Sequence, residues 1–308
     1  MNRFAYHPII SSPRLVRLID RFACELLTYR TMATSSSPLG PAPWRQLFLD
    51  HVQAMASPEF TLSTIRKTSS PSGTVYSSPR ARTCVFRGLF ADLPVNPKND
   101  AELNPDVYET DFLSFTTDCR MDKMAELFGA EEAGEGLRGS GGGAPVEAVF
   151  WAREMGTQWR VRGKAYVLAP DVEDSPEGRH VVSSLAARMR RKGASKDWSY
   201  SREITAHFGN LSPLMRGSFR NPPSGTSVAL PVGDERLGLG QKVTDLNDEV
   251  ARANFRVVVI VPEGVDRTDL SDPERGRRWL YTFVGGESER MAPGGLVEDG
   301  WEKVEVWP

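Results

Sequence analysis

The chain is poor in the residues that staple small or metal-dependent proteins. Its 308 residues include three cysteines, Cys24, Cys84 and Cys119, an odd number with no C-x-x-C spacing. Neither a disulfide framework nor a zinc ribbon is supported, and an intracellular, reducing setting is implied. The four histidines, His7, His51, His180 and His207, are scattered without metal-ligand spacing, so structural or surface roles are expected of them. An excess of one charge is missing too: 38 Lys and Arg stand against 40 Asp and Glu, for a net charge of -2. No global basic field exists to hold nucleic acid or an anionic membrane, so any anion must be held locally. No run of about 18 apolar residues occurs, which excludes an ordinary transmembrane helix. The G-x-S-x-G elbow is absent, which sets a serine hydrolase aside.

What is present suffices for a folded core: 40% of the residues are hydrophobic, enough for one large or two ordinary domains. The first 31 residues differ in kind, with Arg3, Arg14, Arg17, Arg21 and Arg30 against only Asp20 and Glu25. Leu15, Ile19, Phe22 and Leu26 can share a helical face, and the segment resembles a mitochondrial transit peptide. It reads equally as an unstructured extension or as sequence upstream of a start at Met32. TSSSPLGPAP then reads as a linker, so residues 1–41 form an extension and residues 42–308 one domain. The expected location is cytoplasmic, with mitochondrial import left open by the arginine-rich start.

After the linker, Trp44, Leu47, Phe48, Val52 and Met55 recur at helical spacing. Strands are expected at 60–65, 82–88, 112–117, 147–154, 157–168, 255–262, 279–284 and 301–307. Met155 and Gly156 join two of these as a hairpin. In TQWRVRGKAYVL, Trp159, Val161, Ala165 and Val167 face one way, while Gln158, Arg160, Arg162 and Lys164 face the other. Eight such strands with few long helices predict an α+β fold, mainly antiparallel β, of barrel or sandwich type. The segments 92–108, 131–143 and 222–240 read as surface insertions. GRHVVSSLAARMRRK (178–192) reads as one helix whose terminal cations complement its C-terminus.

GEGLRG (134–139) formally matches G-x-G-x-x-G, but a dinucleotide fingerprint needs a strand before it and a helix after it. Here an acidic helical stretch precedes and more glycines follow. The better anion candidates are arginines. Arg80, Arg82 and Arg87 bracket one strand, and FTTDCRMDK supplies Thr116, Thr117, Arg120 and Lys123 at the end of another. Arg offers a planar fork, Lys a point charge and Thr a hydroxyl donor, as a phosphate site requires. On composition alone they read as solvated charges on a sheet edge.

RTCVFRG, FTTDCRMDK and TQWRVRG, in that order and at those separations, resemble the pyridoxamine 5'-phosphate oxidase-like FMN-binding family. The likeness is greatest to its branch of FMN-binding-domain proteins from fungi and cyanobacteria. It extends from about Trp44 to Pro308, through HFGNLSPLMRGSFRNPPSG, RRWLY and WEKVEVWP. The resemblance implies a split β-barrel with peripheral helices and surface insertions, FMN as cofactor, and a homodimer with FMN at the subunit interface. It implies flavin contacts from Arg82, Val85, Phe86 and Arg87, from Thr116, Thr117 and Lys123, and from Gln158. Ser212, contributed by the second subunit, and Arg278 complete the set. Arg82 would hold the phosphate, and Arg87, where the oxidases have lysine, would face the isoalloxazine or the substrate. Asp122 replaces an arginine beside Lys123. Glu274 and Gly276 stand where vitamin B6 phosphate oxidases carry an R-x-H motif, and the presumed turn at 265–270 lacks the family's tryptophan. A carboxylate there would repel a phosphorylated substrate. The expected function is thus a flavin-dependent oxidoreductase on an unnamed small molecule, acting without nucleic acid or membrane. The alternatives are a genuine pyridoxamine or pyridoxine phosphate oxidase, a non-catalytic flavin-binding or sensing module, and an apo structural dimer.

Overall fold

The computed structural model describes residues 39–132, 134–285 and 291–308, which form one compact unit from Leu39 onward. The transit-peptide reading lies outside the described residues. Helix α1 (Arg45–Ala54) buries Phe48 and Val52 one turn apart, as the spacing predicts. Preceded by Trp44, it seats an aromatic face on the sheet. Phe48 packs edge-on to Phe150 at 5.0 Å and to Trp159 at 5.6 Å, and Trp44 to Trp301 at 5.6 Å.

The strands follow as β1 (Glu59–Ser69), β2 (Val75–Val85), β3 (Tyr108–Glu109), β4 (Leu113–Asp118), β5 (Gly141–Ala152) and β6 (Thr157–Leu168). Later come β7 (Arg190–Arg191), β8 (Phe255–Asp269), β9 (Arg277–Phe283), β10 (Leu296–Glu298) and β11 (Trp301–Val306). Helices α2 (Lys123–Phe128), α3 (Pro176–Ala186), α4 (Tyr200–Gly209), α5 (Pro213–Gly217) and α6 (Glu249–Asn254) lie between them. The main sheet is antiparallel, in the order β10-β11-β9-β8-β6-β5-β1-β2. Strand β8 is shared: Phe255 to Ile260 pair with β4, and Gly264 to Asp269 with β9. Beyond β2 the chain continues alongside β4. Arg87 N donates to Ser114 O at 2.9 Å, Ser114 N to Gly88 O at 3.0 Å, and Phe90 N to Phe112 O at 2.9 Å. These bonds complete a ring of β4, β8, β6, β5, β1 and β2, the barrel of a split-barrel fold. Its core holds Phe60, Leu62, Phe115, Phe150, Trp159, Val161, Val258 and Ile260. On the other side of β8, Val257, Val259 and Val261 pack against Val181 and Leu185 of α3 and Ile204 and Phe208 of α4.

The alternation in β6 is as expected, with Trp159, Val161, Ala165 and Val167 buried and Gln158, Arg160, Arg162 and Lys164 facing outward. Three expectations are corrected. The helix read over 178–192 is α3, spanning Pro176–Ala186. Arg190 and Arg191 form β7, where Glu109 pairs with Arg190 in register and Arg190 makes two bonds to the buried Asp111 carboxylate. A bidentate buried partner outcompetes a helix terminus for that cation. The last three residues of 131–143, a stretch read as a surface insertion, are glycines that begin β5, and Gly142 (φ +104°) sits at a register shift against β6. Residues 265–269, read as part of a turn, complete β8.

Candidate functional site

A groove of about 460 Å³ opens where β2 ends. One wall is Thr83, Cys84 and Val85 with Arg87, and another is Thr116, Thr117 and Asp118 of β4. The turn into α2 adds Arg120, Met121 and Lys123. An apolar side comes from Met215 of α5, Phe219 and Leu239. The strand ends converge because the continuation of β2 is hydrogen-bonded to β4, which places Arg87 beside Thr116. The Arg87 Nε donates to the Thr116 hydroxyl at 3.4 Å. Arg120 locks the floor: it pairs with Asp118 at 2.6 Å and donates to Phe219 O at 3.2 Å.

Two cations in this groove lack a carboxylate partner among the described residues. Lys123 Nζ contacts the Thr117 hydroxyl at 3.0 Å and the Met121 sulfur at 2.9 Å. Burial, and next to it the nearby Arg82 charge, push its ammonium below the usual lysine range, with Cys84 and two carboxylates opposing. Burial likewise lowers the Arg87 guanidinium. A half-buried cation with no anion in direct contact is costly until one joins it. The Cys84 thiol is pushed up by burial and stays neutral.

Arg82 stands apart. It lines an adjoining cleft with Arg80 and Asp122 that shares Met121, Lys123 and Ser224 with the groove. Its guanidinium is bonded to the buried Glu126 carboxylate and to the Thr64 hydroxyl. Its charge is therefore largely matched within the chain, and Lys123 is the freer cation.

Of the residues singled out from sequence, Val85, Arg87, Thr116, Thr117 and Lys123 meet in the groove, and Arg82 borders it. The Phe86 side chain turns into the core, against Phe48 at 5.8 Å and Phe150 at 5.9 Å. Ser212 caps α5, accepting from Met215 N at 3.2 Å. Gln158 and Arg278 lie elsewhere but together: register aligns Gln158 with Thr268 of β8, and Thr268 with Arg278 of β9, on the outward sheet face. There Arg278 makes two bonds to Asp266, at 3.0 and 2.8 Å, and Arg160 joins the same carboxylate. Burial opposes the charge on Asp266, but the two arginines overcome it and hold the carboxyl below its usual range. Sequence reasoning missed Cys84, Asp118 and the apolar side; Leu239 lies in a stretch read only as a Pro/Gly loop. GEGLRG holds a single 3-10 turn, Glu135–Leu137, and leads into β5 instead of an α-helix.

Residues 41–169 match the family described as pyridoxamine 5'-phosphate oxidase, FMN-binding domain. Those residues resemble an FMN-binding domain of the pyridoxamine 5'-phosphate oxidase type. FMN is accordingly its cofactor, and the groove fits it, offering an ammonium with no carboxylate in ion-pair contact among the described residues and a threonine hydroxyl for a phosphate, and an apolar side for a ring system. An uncharacterized protein of Saccharomyces cerevisiae, YGR017W, is 20% identical over 325 residues, covering 87% of this chain and 98% of the yeast protein. A pyridoxamine 5'-phosphate oxidase-related, FMN-binding protein from Nostoc punctiforme aligns with a TM-score of 0.52 at 19% identity, over 88% of this chain and all of its own, and shows the same fold. PhzG from Burkholderia lata aligns over 97% of this chain and 98% of its own at 12% identity, with a TM-score of 0.31, too loose to carry over a binding mode. In the FMN-binding domain, Arg82, Val85, Arg87, Thr116, Thr117, Lys123 and Gln158 fall within the matched residues, whereas Ser212 and Arg278 lie beyond them.

Proposed function

We propose that the chain is an FMN-dependent oxidoreductase that works as a homodimer. The observation that carries this is the pair of half-buried cations, Lys123 and Arg87, which face one groove without carboxylate partners among the described residues. Lys123 and the Thr117 hydroxyl would hold the phosphate, with Arg82 alongside, already oriented by Glu126. Arg87 would meet the isoalloxazine or an anionic substrate. Phe219, with Met215 and Leu239 at the exposed rim, would give the ring an apolar surface to lie on. Bound FMN supplies the two-electron acceptor, exchanging a hydride with a substrate carbon. The chain contributes orientation and electrostatics; no side chain in the groove is assigned as an acid or base.

Gln158, Ser212 and Arg278 do not line this groove. A twofold partner would bring its own copies to it, the symmetric arrangement usual for homodimers. Glu274 sits exposed in the turn between β8 and β9. Where a phosphate-binding oxidase needs a cation it offers a carboxylate, which favours substrates without a phosphate.

The deciding experiment is an absorbance spectrum of the purified protein, mass analysis of what denaturation releases, and anaerobic reduction by candidate donors. We expect about one FMN per chain, and reduction followed by reoxidation. A protein that is colourless and ignores added FMN sinks the reading. Bound FMN that no donor reduces would favour the non-catalytic flavin-binding alternative.

A further inference from the structure

Beyond Ser63, β1 pairs only with β2, and β2 is the edge of the sheet. Residues 64–80 therefore form part of a two-stranded ribbon, and such ribbons are marginal on their own and open locally. The outgoing strand reads SSPRAR, and Ser77, Ser78, Pro79 and Arg80 are all exposed. Pro79 holds Ser78 in an extended conformation, the form in which peptide-modifying enzymes take their substrates.

Two arginines flank this serine. Register places Arg66 directly across from Ser78, so their side chains leave the same face about 5 Å apart. Arg80, two residues on, shares that face. Both arginines are loosely committed. Arg66 donates to the Asp122 carbonyl at 3.2 Å, and Arg80 stands 3.9 Å from Glu126 Oε1, an oxygen that makes no hydrogen bond. Arg80 also lines the basic cleft with Arg82 and Lys123, and that cleft runs into the flavin groove. Ser70 also precedes a proline, but its hydroxyl is engaged in the turn, accepting from Thr74 N.

We infer that Ser78 is a phosphoacceptor for a proline-directed serine kinase, and that phosphate there weakens FMN binding. The inference rests on FMN occupying the groove. In the transfer, a bond forms from Ser78 Oγ to the γ-phosphorus of ATP as the bond from that phosphorus to the β–γ bridging oxygen breaks. ADP leaves, and the hydroxyl proton passes to the kinase's base. The phosphoserine, close to a dianion at neutral pH, then has Arg66 opposite and Arg80 beside it to pair with. It draws Arg80 away from the cleft and adds negative charge near the approach to Lys123.

To test this, flavin-free full-length protein is treated with a proline-directed serine kinase and ATP, the phosphate is mapped by mass spectrometry, and FMN is titrated by flavin fluorescence quenching. Phosphate is expected on Ser78, with the FMN Kd raised about tenfold. Ser78→Ala, treated identically, is expected to keep the unmodified Kd. Phosphate that never reaches Ser78, or a fully phosphorylated protein whose Kd moves by less than about twofold, overturns the inference. Untreated protein that binds no FMN removes the cofactor site beneath it, a result visible before any kinase is added.

Discussion

His207 stacks on Phe90 at 6.4 Å, fully buried, and neither ring nitrogen makes a hydrogen bond. Burial, and after it the charge of Arg87, push its pKa down to about 3 from an ordinary 6.5. Between those values the unfolded chain takes up a proton that the native imidazole refuses. Stability therefore falls as pH drops below 6.5, by up to about 1.4 kcal/mol per pH unit. Glu203, 3.7 Å away, is pushed up by burial, so its own contribution runs the other way, falling as pH rises above 4.5. His207→Phe keeps a ring on Phe90 and removes the titration. We expect urea unfolding at pH 7 and pH 5 to show a smaller acid loss in the variant, and an equal loss would rule out the imidazole as its source. At this scale the sequence was legible where chemistry sits at strand ends, as with Thr117 and Lys123. It was not legible where a partner arrives through the fold. Glu126 lies 44 residues from Arg82, in a short helix whose buried face a pattern alone cannot distinguish.

Among the elements, alternation in β6 and the apolar run of β8 announced themselves, because burial on one or both faces writes period two or continuity into the side chains. Strand β7 did not, since two arginines following a helix read as its C-terminal charges until Glu109 and Asp111 claim one of them. The start of β5 was hidden by glycines, which carry no side chain to show a period. One glycine has a strict role. At the bulge between β6 and β8, a Cβ on Gly163 would lie 2.0 Å from Val261 O, backbone that cannot step aside. Gly163→Ala should cost more than about 3 kcal/mol, read from the urea midpoint, and a loss under about 1 kcal/mol would show that the strand pair absorbs the methyl group.

For the whole molecule, the resemblance gave the barrel and its cofactor, while the division of the predicted contacts into two separate places is a matter of topology. The groove set and the Gln158–Arg278 row occupy separate places on the chain, since neither Gln158 nor Arg278 lines the groove, which is why a dimer is proposed. The proposal predicts complementation. Lys123→Ala and Arg278→Ala homodimers should each lose FMN, whereas co-refolding them in equal amounts should restore about a quarter of the sites, through hybrids with one intact site. No recovery, with hybrids confirmed by native mass spectrometry, would place both residues at one site in a single chain, whereas an Arg278→Ala homodimer that keeps its FMN would remove Arg278 from the site.

The seam that joins the continuation of β2 to β4 closes the ring and also delivers Arg87 and Thr116 to the groove. Ligand and seam are therefore thermodynamically linked. Whatever free energy a bound anion gains from Arg87 is gained only with the seam shut, so occupancy raises the cost of opening the barrel at this point by the same amount. The apo protein is then expected to be weakest where the holo protein is best protected, with the cofactor acting as the barrel's last rung.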